Sequence, residues 1–83
     1  MKTIRIRYFA SVREALGNGE TVRTDAATLA GLRDELIARG GALATALARG
    51  KAVRMARDQV MSREGAALDD GAEIAFFPPV TGG

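Results

Sequence analysis

The chain contains no cysteine, no histidine and no tryptophan. Without cysteine, a disulfide framework and a thiolate metal site are both excluded. Without histidine, the commonest acid–base group near neutral pH and the commonest metal ligand are missing as well. Any catalysis would fall to carboxylates or lysine. Long apolar runs are also absent: Met1-Lys2-Thr3-Ile4-Arg5-Ile6-Arg7 interrupts its apolar residues with charge. No signal-peptide core or membrane span forms from such a start, so a cytoplasmic location is expected. Neither sign of charge dominates, with 12 basic and 10 acidic residues and a net charge of +2. Arg5, Arg7, Arg13, Arg23, Arg54 and Arg57 leave open a nucleic-acid surface. The plainer reading is a solvated surface of mixed sign, with no nucleic-acid partner.

What is present fits one domain of 83 residues, with 47% hydrophobic and 27% charged content. Such a chain folds alone with little stability to spare. Lys2 to Phe9 alternates, with Ile4, Ile6 and Tyr8 on one side and Arg5, Arg7 and Phe9 on the other, as a half-buried strand does. Ala10 to Leu16 reads as an irregular connection. Gly17-Asn18-Gly19 signals a turn, and Glu20 to Thr24 a short strand. Thr28 caps a helix from Leu29, with Leu29, Leu32, Leu36 and Ile37 on one face, ended by Gly40-Gly41. Ala42 to Arg49 reads as a shorter helix. Ala52 to Arg57 and Gln59 to Ser62 read as strands around Asp58, and Arg63 to Ala67 as a loop without evident constraint. Asp69-Asp70-Gly71 is a turn, not a metal-ligand pair, and no metal site is expected. Glu73 to Phe77 is the last strand, with Ile74 and Phe76 facing one way. This order predicts an α+β, ubiquitin-like β-grasp fold over residues 1–77. A mixed five-stranded sheet would pack on one main helix, with its first and last strands parallel at the centre. An α+β sandwich of other topology is the alternative.

Residues 78–83, Pro78-Pro79-Val80-Thr81-Gly82-Gly83, carry the most information. A frayed end explains Gly-Gly alone. It does not explain a stiff Pro-Pro immediately after a strand. Two prolines favour an extended exit from the sheet, so the segment reads as an arm with a flexible Gly-Gly end. Glycines pass through channels too narrow for a Cβ. Such an arm delivers the Gly83 carboxylate, which adenylation turns into an acyl electrophile. Partner proteins would supply the chemistry that a chain without Cys or His lacks.

Tyr8-Phe9-Ala10-Ser11-Val12-Arg13-Glu14, Leu68-Asp69-Asp70-Gly71 and Glu73-Ile74-Ala75-Phe76-Phe77-Pro78-Pro79-Val80-Thr81-Gly82-Gly83 together resemble the small subunits of molybdopterin synthases, which are β-grasp sulfur carriers. The resemblance spans the chain and is thinnest over Arg39 to Arg57. It implies that an adenylating enzyme similar to ubiquitin-activating enzymes spends ATP on Gly83, and that a sulfurtransferase system then converts the adenylate to a thiocarboxylate. The arm, Pro78 through Gly82, would enter a pocket of the large synthase subunit and give sulfur to cyclic pyranopterin monophosphate. Heterotetrameric assembly is implied, and no cofactor or metal bound by this chain. The chain itself would be non-catalytic. A sulfur carrier for thiamine synthesis, a ubiquitin-like protein modifier and a basic RNA-binding β-grasp module remain as alternatives. The alternation adds an expected partner surface on the uncovered sheet face: Phe9 and Phe77, extended by Val60, with Arg5 and Arg7 at the rim. Against it stands the possibility that Ser11 to Leu16 fold over the two phenyl rings.

Overall fold

The computed structural model describes residues 1–79. Its elements run β1 (Lys2–Tyr8), α1 (Ala10–Leu16), β2 (Gly19–Thr24), α2 (Leu29–Ala38), α3 (Gly41–Ala46), β3 (Arg54–Arg57), β4 (Val60–Ser62) and β5 (Glu73–Phe77). The five strands form one mixed sheet in the order β2-β1-β5-β3-β4. At its centre β1 and β5 run parallel, with Ile6 beside Ile74 and Tyr8 beside Phe76. This is the α+β, β-grasp arrangement that the alternation and element order predict.

One face of the sheet is covered. Ile4, Ile6 and Tyr8 of β1, Ile74 and Phe76 of β5 and Met55 of β3 pack against Leu29, Leu32 and Leu36 of α2. Tyr8 and Phe76 meet with ring centroids 6.1 Å apart. The first turn of α2 leaves backbone N–H groups without intrahelical partners. Leu29 N–H donates to Ala66 O (3.1 Å) and Ala30 N–H to Glu64 O (2.8 Å), while Gly31 N–H donates to Thr28 Oγ1 (3.2 Å). The segment read as an unconstrained loop is therefore the cap of the main helix.

Several boundaries differ from the sequence reading. The expected irregular connection is the helix α1, whose Val12 enters the core and whose Leu16 packs against it. Its start is tightly built: Ala10 takes a φ of 53° directly after the extended Phe9. Gly19 must be glycine, since a Cβ there would lie 2.1 Å from Ile6 O. α3 begins at Gly41, after Gly40 turns the chain with φ 79°, and stops at Ala46 instead of Arg49. It stops because Leu47 drops fully into the core and its carbonyl accepts from Arg33 Nε at 2.8 Å. Ala52 and Val53 precede β3, and Gln59 belongs to the turn. Asp58 and Gln59 both have positive φ, 49° and 71°, the geometry of a two-residue hairpin with matching twist.

Candidate functional site

The register sorts side chains onto the uncovered face of the sheet. On β1 these are Thr3, Arg5 and Arg7, with Phe9 continuing the alternation; beside Arg5 and Arg7 on β5 stand Glu73 and Ala75. Phe77 stands opposite Arg54 and Ala75 opposite Ala56. Thr21 and Arg23 extend the face onto β2. Phe9 and Phe77 thus share this face at the end where β5 gives way to Pro78-Pro79, as expected. They line an open trough of about 700 Å³ whose floor is Ala56 and Ala75 and whose far wall includes Pro78 and Pro79. Phe9 is 37% exposed, and the Arg7 guanidinium lies 5.3 Å from its ring centroid. That stacking holds both a flat apolar surface and a cation at the rim.

Ser11 to Leu16 do not cover the rings. α1 turns its apolar side into the core, and of its residues only Ala10 touches the trough. Val60 does not extend the patch either. It stands opposite Arg57, which stands opposite the core residue Ile74, so Val60 belongs to the helix side at the sheet edge. Met61, opposite Ala56 and 59% exposed, occupies the position expected of Val60. A strand of three residues leaves its register to the turn, and a shift of one residue exchanges the faces. Arg54 stood in the sequence only among the arginines of a possible nucleic-acid surface, and the alanine floor was unassigned. The pairing of Ala75 with both central neighbours is the signal that reveals them, and it requires the register.

The face is cationic. Arg5, Arg7, Arg23 and Arg54 take part in none of the ion pairs among the described residues, which join Met1 to Asp25, Arg39 to Glu20, and Arg33 and Arg49 to Glu64 and Asp34. Glu73 is the one acid on the strand residues of this face. Its complement is an acidic surface with an apolar centre. Among the described residues no group of three or more His, Cys, Asp or Glu could hold a metal, and no helix is long and apolar enough to cross a membrane. The described part of the arm, Pro78 and Pro79, is half-buried against the trough. Val80, Thr81, Gly82 and Gly83 lie outside the described residues.

Comparison with known proteins places this geometry in context. The ThiS family matches residues 6–83. The chain is 41% identical over 81 residues to the molybdopterin synthase sulfur carrier subunit of Escherichia coli (strain K12), covering 96% of this chain and 99% of that one. The Haemophilus influenzae protein of the same name is 38% identical over the same span. Among solved structures, SAMP1 from Haloferax volcanii superposes with a TM-score of 0.74 at 26% identity, over 98% of this chain and 99% of that one. Subunits 1 and 2 of the molybdopterin-converting factor of Helicobacter pylori 26695 were solved as a complex. A chain of it matches with a TM-score of 0.67 at 24% identity over 98% of this chain and 99% of that one.

Proposed function

We propose, from the premise that this chain belongs to the ThiS family, that it is the sulfur-carrier subunit of a molybdopterin synthase. The single observation that carries the reading is near-full-length identity of 41% to a relative of that name; a sheet that leads directly into Pro78-Pro79 agrees with it. The same identity favours this role over thiamine synthesis or protein conjugation.

In this reading Gly83 is the working group. Its carboxylate attacks the α-phosphorus of ATP on an adenylating enzyme, releasing pyrophosphate. Sulfur supplied at the sulfide level by a sulfurtransferase system attacks the acyl carbon, AMP leaves with the electron pair, and a thiocarboxylate remains. Pro78, Pro79, Val80, Thr81 and Gly82 form the arm that carries it into a pocket of the large subunit, where cyclic pyranopterin monophosphate accepts the sulfur. The large subunit supplies the catalytic groups, and the small chain binds neither metal nor nucleotide. Residues 1–77 act as the rigid body and 78–83 as the arm, in a cytoplasmic heterotetramer. The trough bounded by Phe9 and Phe77 docks the large subunit, with Met61 and the arginine rim beside it. Two aromatic groups at the centre of an interface are the usual form of a binding hot spot.

Reconstitution tests the reading. The chain, its large subunit, the activating enzyme, ATP and a sulfur source should form the pterin dithiolene, and one residue added after Gly83 should abolish it. A dithiolene formed equally well with the extended chain would overturn it.

A further inference from the structure

The two edges of the sheet are unequal. β4 offers three residues after a tight turn, whereas β2 offers six, Gly19–Thr24, with no proline among them. The ladder fixes which of the six look outward. Tyr8 N–H donates to Asn18 O at 3.0 Å, while Arg5 N–H and Phe9 N–H turn the other way, to Ala72 O and Phe76 O. Bonded and non-bonded pairs alternate in an antiparallel ladder. The even-numbered residues of β1 therefore bond to β2 through Glu20, Val22 and Thr24. Gly19, Thr21 and Arg23 point their N–H and C=O groups away from the sheet. Among the described residues none of the three makes a backbone bond outside the ladder. Such a row of unpaired groups is a template for another strand.

The side chains on the two sides of this edge select what pairs with it. On the helix side Glu20 accepts from Arg39 at 2.7 Å and Glu35 accepts from the Thr24 hydroxyl, so both acids are engaged. Val22 lies half-buried between Glu20 and Thr24, and that side takes an apolar residue. On the open side Thr21 and Arg23 are exposed, Thr21 stands beside Arg5, and Arg7 follows Arg5 on the same face. Arg5, Arg7 and Arg23 enter no ion pair among the described residues. That side takes acids. A second copy of the chain fits poorly: paired antiparallel about Val22, it gathers Arg23 and Arg5 of both copies on one face, like charge against like. The edge also lies apart from the trough, none of whose lining residues comes from β2.

We propose that the β2 edge is a second docking site, which takes an extended partner segment of alternating acidic and apolar residues as a further strand of the sheet. The backbone of the segment bonds to Gly19, Thr21 and Arg23. Its apolar side chains pack on Val22, and its carboxylates meet Arg23 and, across Thr21, Arg5. Main-chain bonds supply the affinity of such an added strand, and the alternate side chains supply its specificity. The site goes beyond the sulfur-carrier reading and does not depend on it, since no residue of the arm takes part.

Titrating the isotopically labelled full chain with a capped synthetic peptide that alternates glutamate and valine tests the site. Amide shifts in the NMR spectrum should concentrate at Gly19, Thr21 and Arg23, and exchange of those amides with water should slow. Added salt should weaken binding, and a peptide with lysine in place of glutamate should not bind. Thr21→Pro removes an outward donor and leaves the β1–β2 bonds in place, so it should weaken binding about tenfold or more with little change in thermal unfolding. Arg23→Glu leaves the backbone as it is and should weaken binding as much, which keeps the test decisive where the proline disturbs the strand. Shifts centred on Ala75 and Phe77, undiminished binding by either variant, or no binding at millimolar peptide overturns the proposal. Dimerisation of the chain through β2 in place of peptide binding overturns it as well.

Discussion

The Arg33 guanidinium, 4% exposed, meets the Glu64 carboxylate at 3.2 Å. Its other donors reach Leu47 O and Ala48 O, both at 2.8 Å. One buried arginine therefore ties the end of α3 and the segment before β5 to the main helix. Arg49 joins the same carboxylate from outside and also pairs with Asp34.

Removing Arg33 strands those carbonyls in the core. Arg33→Ala should lower unfolding free energy by about 3 kcal/mol or more, read from the denaturant midpoint. Glu64 is 44% exposed, so Glu64→Gln should cost less than about 1 kcal/mol. Equal losses would mean that the ion pair, not the capped carbonyls, holds the segment.

Core and arm should separate cleanly. Phe76 is fully buried, and Phe76→Ala should cost roughly 3–5 kcal/mol. Pro78→Gly should leave the unfolding transition nearly unchanged while slowing sulfur delivery, because the arm then loses more entropy on entering its pocket. A comparable stability loss from both would contradict the boundary at Phe77.

How much of this was legible in the sequence depends on what each residue answers to. Ile4, Ile6, Tyr8, Ile74 and Phe76 announce the central strands because a two-residue period is local information. α1 gives no such signal: Phe9 supplies no side-chain cap, and Ala10 enters the helix from a left-handed backbone that its packing imposes. Arg33 carries no local sign of its burial in the sequence. Only the carbonyls that α3 brings to it, 14 or more residues away, make its burial possible. The exchange of Val60 for Met61 has the same origin, since the Asp58-Gln59 turn fixes the register of β4. The arm is the reverse case: Val80 to Gly83 were read from sequence alone and lie outside the described residues.

The open face makes a sharper prediction. Phe77→Asp should weaken binding to the large synthase subunit at least tenfold, measured by calorimetry, with little change in thermal unfolding. Met61→Asp should weaken it as well, whereas Val60→Asp on the opposite side should not. Loss of binding by Val60→Asp with normal binding by Met61→Asp would refute the register.

Alkaline stability should carry the mark of Tyr8. Burial, and then the charge of Glu20 3.4 Å from the hydroxyl, push its pKa from 10.0 up to about 12. The folded state therefore holds the phenolic proton more tightly than the unfolded chain does. Stability should fall as pH rises from about 10 to about 12. In Tyr8→Phe that part of the decline should vanish, as followed by urea midpoints across the range. An unchanged slope would mean the phenol is not the group responsible.

The central claim concerns Gly83, and intact-mass spectrometry addresses it most directly. After incubation with the activating enzyme, ATP and a sulfur donor, the chain should gain the mass of sulfur in place of one oxygen, localised to Gly83. That form alone should then convert cyclic pyranopterin monophosphate to its dithiolene with the large subunit. A chain lacking Gly82-Gly83 that supports the conversion as well as the intact one would contradict the account.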